Sequence, residues 1–278
     1  MLLVYFLLVF LHLSSNSAAN ENFENYVGCD MPKSDVDLVE FPLNLEYLEA
    51  EFFLWGSLGY GLDKFAPELA DSGPPPIGAQ IAKLSPLIRD VITQFGFQEV
   101  GHLRAIKDTI TGFPRLLLNL SRESFATVMD DAFGHPLKPP FDAYANDVNY
   151  LLASYVIPYV GLTGYVGANP KLQSSTAKRL VAGLLGVESG QDAVLRALLY
   201  ERGREKVEPY GITCSSENIF VYVVMPLFAG DKYSMAYDRT PKEILRIVYG
   251  SGKENKPGGF YPKGAEGRIA KSYLRHGD

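Results

Sequence analysis

Cysteine is nearly absent from this chain. Cys29 and Cys214 are the only two in 278 residues, which leaves one disulfide at most and excludes a cysteine-stapled scaffold or a zinc site built on thiolates. Histidine is scarce too: His12, His102, His135 and His276 occur, and none accompanies a Gly-x-Ser-x-Gly elbow, so a hydrolase triad of that design is excluded. Positive charge is in deficit, with 26 Lys and Arg against 32 Asp and Glu, a net charge of −6 and no long basic run. A nucleic-acid partner, which needs a basic surface to displace counterions, is therefore not expected. The glycines between Gly161 and Gly167 lie in a tyrosine-rich run without the lysine of a phosphate-cradling P-loop.

Long apolar runs are also missing, except at the start. MLLVYFLLVFLHLSSNSAAN opens with a short apolar stretch, less than the roughly 20 residues that span a bilayer. Ser17, Ala18 and Ala19 follow as a small-x-small cleavage pattern, so residues 1–19 are expected to be a secretory signal peptide. The poorly charged start leaves a membrane anchor as the alternative. With no other uniformly apolar segment, no transmembrane anchor is expected in the mature chain. Both cysteines survive removal of the leader, and in an oxidising compartment Cys29 and Cys214 can pair. A loop of that length would contribute about 5 kcal/mol at most in the chain-entropy account. Asn119-Leu120-Ser121 is a glycosylation acceptor if the chain is secreted.

With 47% hydrophobic residues there is enough apolar matter for a sizeable core. Ile88, Val91, Ile92, Phe95, Leu103, Ile106 and Ile110 recur with a period near 3.6 and predict an amphipathic helix. Ser85 and Pro86 start it as N-cap and first residue; Gly112 and Pro114 stop it. Glu99 and His102 fall on its apolar stripe, three residues apart and so on one face. Burying a carboxylate and an imidazole is costly unless something pairs with them, and Glu-x-x-His on a bundle helix is a metal-binding pattern of di-iron carboxylate proteins.

Three more helices are predicted. Phe41–Leu62 is apolar nearly all round yet carries Glu46 and Glu49 on one face, at least one of them expected at a buried site. Glu51, well around that helix, is expected to be solvated or capping. Asp142–Val166 contains Pro158, where a kink or break is expected. Gln173–Glu205 places Glu188 and Gln191 on a core stripe, with Asp192 close enough to join them; a Glu188–Gln191 hydrogen-bonded pair is the plainer alternative. Residues 71–78, DSGPPPIG, form a rigid crossover, and 113–141 a loop with one short helix. The expected organisation is a signal peptide over 1–19, a polar lead-in over 20–40, an all-α four-helix bundle over 41–210 and an irregular extension over 211–278 packed on it. That extension holds an apolar piece, 218–228, and a short helix capped by Thr240 with Pro241 at its first position. The 12% aromatic content is expected in the core, with a surface for wall polymer or partner proteins as the alternative.

These motifs resemble the ferritin-like fold, and more closely the plant desiccation-related proteins, a secreted ferritin-like family. QEVGHLRAI, SGPPPIGAQ, SYVIPYVGLTGYVGANP and GGFYPKGAEGRIA carry the resemblance, which covers almost the whole mature chain. It implies an extracellular location in apoplast or cell wall, a link to desiccation or stress, and Glu46, Glu99, His102 and Glu188 as metal ligands. Glu49 and Asp192 are further candidates. Two departures stand out: Pro158 falls where the third helix would supply a glutamate, and Gln191 where the fourth would supply a second histidine. The expectation is a noncatalytic protein whose degenerate site holds at most one iron, manganese or zinc ion. The alternative is a di-metal carboxylate oxidase or an iron-handling, ferroxidase-like enzyme.

Overall fold

The computed structural model describes residues 31–202, 206–207, 212–213, 233 and 235–275. The chain divides into a unit of residues 1–32 and a unit of residues 33–278, and the architecture below is that of the second. The expected leader, Cys29, Cys214 and the apolar piece at 218–228 lie outside the described residues.

Eight residues of the supposed lead-in form a helix, α1, Lys33–Glu40. Polarity hid it, because its acids serve other elements. The Oδ2 of Asp35 accepts from the backbone N–H of Gln173 (2.9 Å) and Ser174 (2.7 Å), holding the entry to the last bundle helix. Next comes α2, Leu43–Leu58, in which every residue but Trp55 and Leu58 is buried. It ends at Gly59, whose φ of 79° suits glycine and whose N–H donates to the Trp55 carbonyl. Two single turns follow, α3 (Leu62–Phe65) and α4 (Pro67–Ala70). The proline loop then leads to α5, Pro86–Thr109.

Ser85 occupies the cap position of α5, but its hydroxyl makes no cap bond; its N–H donates instead to Asp147 Oδ1 at 2.7 Å. The helix also stops before Gly112, with Ile110 already extended. The short helix α6, Arg122–Phe133, is capped by Ser121 and closed by Gly134 at φ 71°. In α7, Asp147–Ala168, the Asn146 side chain caps the first turn, which sets the start later than hydropathy alone predicts. Pro158 does not break α7, which continues ten residues beyond it. Its environment is the reason: this helix is buried almost all round, so packing outweighs one lost backbone bond. By composition α7 is long and apolar enough to cross a membrane, but 89% of its most apolar window is buried inside the protein. After a turn of 3₁₀ helix, α8 runs from Ser175 to Arg202.

The long helices pack as two antiparallel pairs, α2 with α5 and α7 with α8, and α2–α7 and α5–α8 contacts close the bundle. Beyond it, Lys206–Val207 and Ile212–Thr213 form a two-residue antiparallel ladder, β1 with β2. The tail adds α9, Pro241–Val248, opened by a complete Thr240–Glu243 capping box, and α10, Arg268–Leu274. The tail is fastened to the start of α2. Tyr261 donates to the Asn44 carbonyl at 2.9 Å, and the Asn44 amide exchanges hydrogen bonds with the Glu266 backbone. Aromatic residues fill the core around Phe52, stacked on Tyr150 with ring centroids 4.4 Å apart and in contact with Phe125 and Tyr144.

Candidate metal centre

Three helices carry polar residues one turn apart toward the middle of the bundle: Glu46 and Glu49 on α2, Glu99 and His102 on α5, Glu188 and Gln191 on α8. All six are buried, with His102 the most exposed at 7%. Ligand atoms from Glu46, Glu99, His102 and Glu188 all lie within 4.8 Å of one another. The Nδ1 of His102 is the hub, 3.0 Å from Glu99 Oε2, 3.1 Å from Glu46 Oε2 and 3.6 Å from Glu188 Oε1.

Two further residues orient the acids. The Tyr165 hydroxyl of α7 donates to Glu46 Oε1, and the Gln191 amide donates to Glu99 Oε1 and to Gln98 Oε1. Gln191 thus supports Glu99 rather than pairing with Glu188. Asp192 is not drawn in; it pairs with Arg196 at 3.7 Å. The polar residues at the start of α7 also act elsewhere: Asn146 caps the helix, and Asp147 bonds Ser85 and Arg202.

The third helix offers the site no carboxylate, and the reason is visible at Gly161. A Cβ on that residue would stand 3.2 Å from Glu49 Oε1 and 4.0 Å from Glu188 Oε2. Glu49, reaching across from α2, lies against the wall where a third-helix side chain would enter. The set is therefore four carboxylates, one imidazole and one amide, supplied by α2, α5 and α8.

Electrostatics mark this cluster as short of positive charge. Burial, reinforced by the other carboxylates, pushes Glu49 and Glu188 well above the usual carboxyl range. Burial also lifts Glu46 to about 7 although His102 opposes it. For Glu99 burial works in the same direction, but His102 and the Gln191 hydrogen bond outweigh it and hold the group low. Burial disfavours a charged His102, yet Glu99 and Glu46 together raise it well above an ordinary imidazole. Glu49 Oε2, both Glu188 oxygens, His102 Nε2 and Gln191 Oε1 are buried without a hydrogen-bond partner. Orphaned oxygens facing an imidazole nitrogen are the donor set of a hard or borderline cation, so these residues fit iron, manganese or zinc. Four ionised carboxylates beside a neutral imidazole carry −4, which two divalent cations cancel and one only halves.

Glu51, expected to be solvated, is fully buried in a separate cluster. It pairs with Arg115, which also makes a forked contact with Asp63 (2.8 and 2.9 Å) and donates to the Pro74 and Gly73 carbonyls. Arg115 lies 64 residues from Glu51, and no local signal in the sequence joins them. Asn119, the glycosylation candidate, is half-buried just ahead of α6, its side-chain oxygen accepting from the Ser121 N–H at 3.1 Å.

Four antiparallel helices around a buried carboxylate–histidine cluster define a four-helix bundle with a candidate metal centre in its core. A profile of the Ferritin-like domain family matches residues 34–201, and the chain belongs to that family. It is 55% identical over 266 residues to a desiccation-related protein of Craterostigma plantagineum, with 86% of this chain and 85% of the relative covered. It is 51% identical over 269 residues to a ferritin-like catalase of Nesocodon mauritianus, covering 87% and 86%. No solved structure matches.

Proposed function

We propose that this chain is a metal-dependent redox protein that disproportionates hydrogen peroxide at the buried cluster, using two manganese or iron ions. One observation carries the reading: four carboxylates and an imidazole converge inside the bundle with Glu49 Oε2 and both Glu188 oxygens unpartnered and only His102 to offset the acids. The catalase name of one relative and the desiccation-related name of the other both suit a protein that limits oxidative damage.

Glu46, Glu49, Glu99, His102 through Nδ1, and Glu188 would hold the ions, releasing protons as they bind. Two such ions, when bound, would supply a store for two electrons. In the overall reaction one peroxide gives up two electrons and two protons and leaves as dioxygen. The second accepts them, its O–O bond breaks, and two waters leave. The chain's part is to hold geometry and exclude bulk water: Tyr165 fixes Glu46, Gln191 fixes Glu99, and burial inside the bundle keeps the cluster from solvent.

A second reading keeps one ion in a noncatalytic, structural role. Its support is the amide of Gln191 where an imidazole would complete a symmetric pair. Elemental analysis of chelator-free protein, run with an oxygen electrode, separates the two. About two metals per chain and one dioxygen per two peroxides are expected; about one metal without dioxygen release would favour the structural role, and no metal would overturn both. The proposed setting is extracellular, supported by the leader pattern of residues 1–19. Glycosylation at Asn119 and a Cys29–Cys214 disulfide belong to that same proposal.

A further inference from the structure

An apolar cavity of about 20 Å3 lies between α1, α2, α7 and α9. Its inner wall is the glycine row of α7, Gly161, Gly164 and Gly167, six residues that advance about 9 Å along the helix. Leu38, Leu45 and Ile244 supply carbon opposite. Two facts connect this space to the carboxylate cluster. Gly161 lines it, and beside that residue stands Glu49, 1% exposed, with Oε1 3.2 Å from the position of a Cβ and Oε2 without a partner. At the outer end the lining includes exposed Lys171 and half-buried Arg239, the latter held by its N–H to the Thr163 carbonyl and its guanidinium to the Thr163 hydroxyl, both at 3.1 Å.

We infer that this glycine-walled cavity is the approach by which a small uncharged molecule, hydrogen peroxide in the reading above on which this inference rests, reaches the cluster from outside. Carbon walls give an ion nothing to replace its hydration, and a rim with two cationic side chains repels a free divalent metal. A neutral molecule meets neither obstacle. The volume exceeds the 10–15 Å3 or so that one water requires but leaves no room for an alkyl group. The glycines are what keep it open: at Gly164 a Cβ would already stand 2.7 Å from Ile244 Cδ1.

Nitric oxide, small and neutral, probes access without turnover. The experiment measures by stopped-flow absorbance how fast it binds ferrous-loaded protein in the wild type, in Gly164→Val, which fills the middle of the cavity, and in Leu38→Trp, which covers its half-exposed outer part. At equal iron content both variants are expected to bind at least ten-fold more slowly. Unchanged rates with full iron would overturn the channel and leave the metal centre standing, whereas a wild type that takes up no iron removes the centre itself.

Discussion

Two buried charge clusters share helix α2 and end in opposite states. Glu51 is matched by Arg115, and the guanidinium's remaining donors are taken up by Asp63 and two carbonyls. A few residues earlier, Glu46 and Glu49 face two more carboxylates across the bundle with only His102 to offset them. Glu51 and Arg115 are as buried as the acids around His102, so burial of charge does not by itself mark a site. Compensation does: a cluster that the chain neutralises is a structural brace, and one that it leaves acidic is built for something the chain does not supply.

The comparison breaks most visibly at Arg115. Replacing it with Met strands Glu51 in the core and is expected to lower unfolding stability by about 3–5 kcal/mol in urea titration. The other cluster should respond with the opposite sign. In metal-free protein, Glu49→Gln combined with Glu188→Gln removes two of the acids that repel one another, and is expected to raise stability by about 1–3 kcal/mol while abolishing metal uptake. A fall in stability of the metal-free double variant would mean that this cluster too is internally balanced. Tyr165→Phe sharpens the contrast further, since it removes only the donor that orients Glu46. Metal affinity is expected to drop about 10- to 100-fold with the helical content intact, checked by competition with a chelator and by circular dichroism.

The smallest effect belongs to charges at the surface. The Arg246 hydrogen bond, with Lys242 beside it, holds Glu254 at about 2. Its folded value is depressed below the ordinary 4.5, so the stability it contributes is complete above about 4.5 and is lost as pH falls toward 2. Glu254→Gln should flatten acid unfolding slightly in that window, and 1 M salt should erase the difference.

Glu99 and His102 were legible because a titratable pair interrupts an apolar stripe at helical spacing, and Glu188 with Gln191 for the same reason on α8. Glu46 was legible on those grounds and by resemblance, and Pro241 behind Thr240 by capping chemistry. The misreadings also have a common form. Glu51 looked solvated because its partner sits 64 residues away, and α1 looked like a lead-in because Asp35 caps a helix that begins far along the chain. Of the kink or break expected at Pro158, the break does not occur; a single helix shows the lost hydrogen bond but not the packing around it.

Period, caps and the placement of acids on apolar faces are local properties, repeated every few residues, and through them the sequence by itself determined four long helices and the carboxylates and imidazole they turn inward. Which acids face one another, which one meets an arginine, and that Glu49 crosses to the wall formed by Gly161 were decided only when the helices packed. The reason is range: hydrogen bonding within a helix couples residues three or four apart, whereas charge compensation and the space left by a missing side chain depend on neighbours brought together from distant parts of the chain.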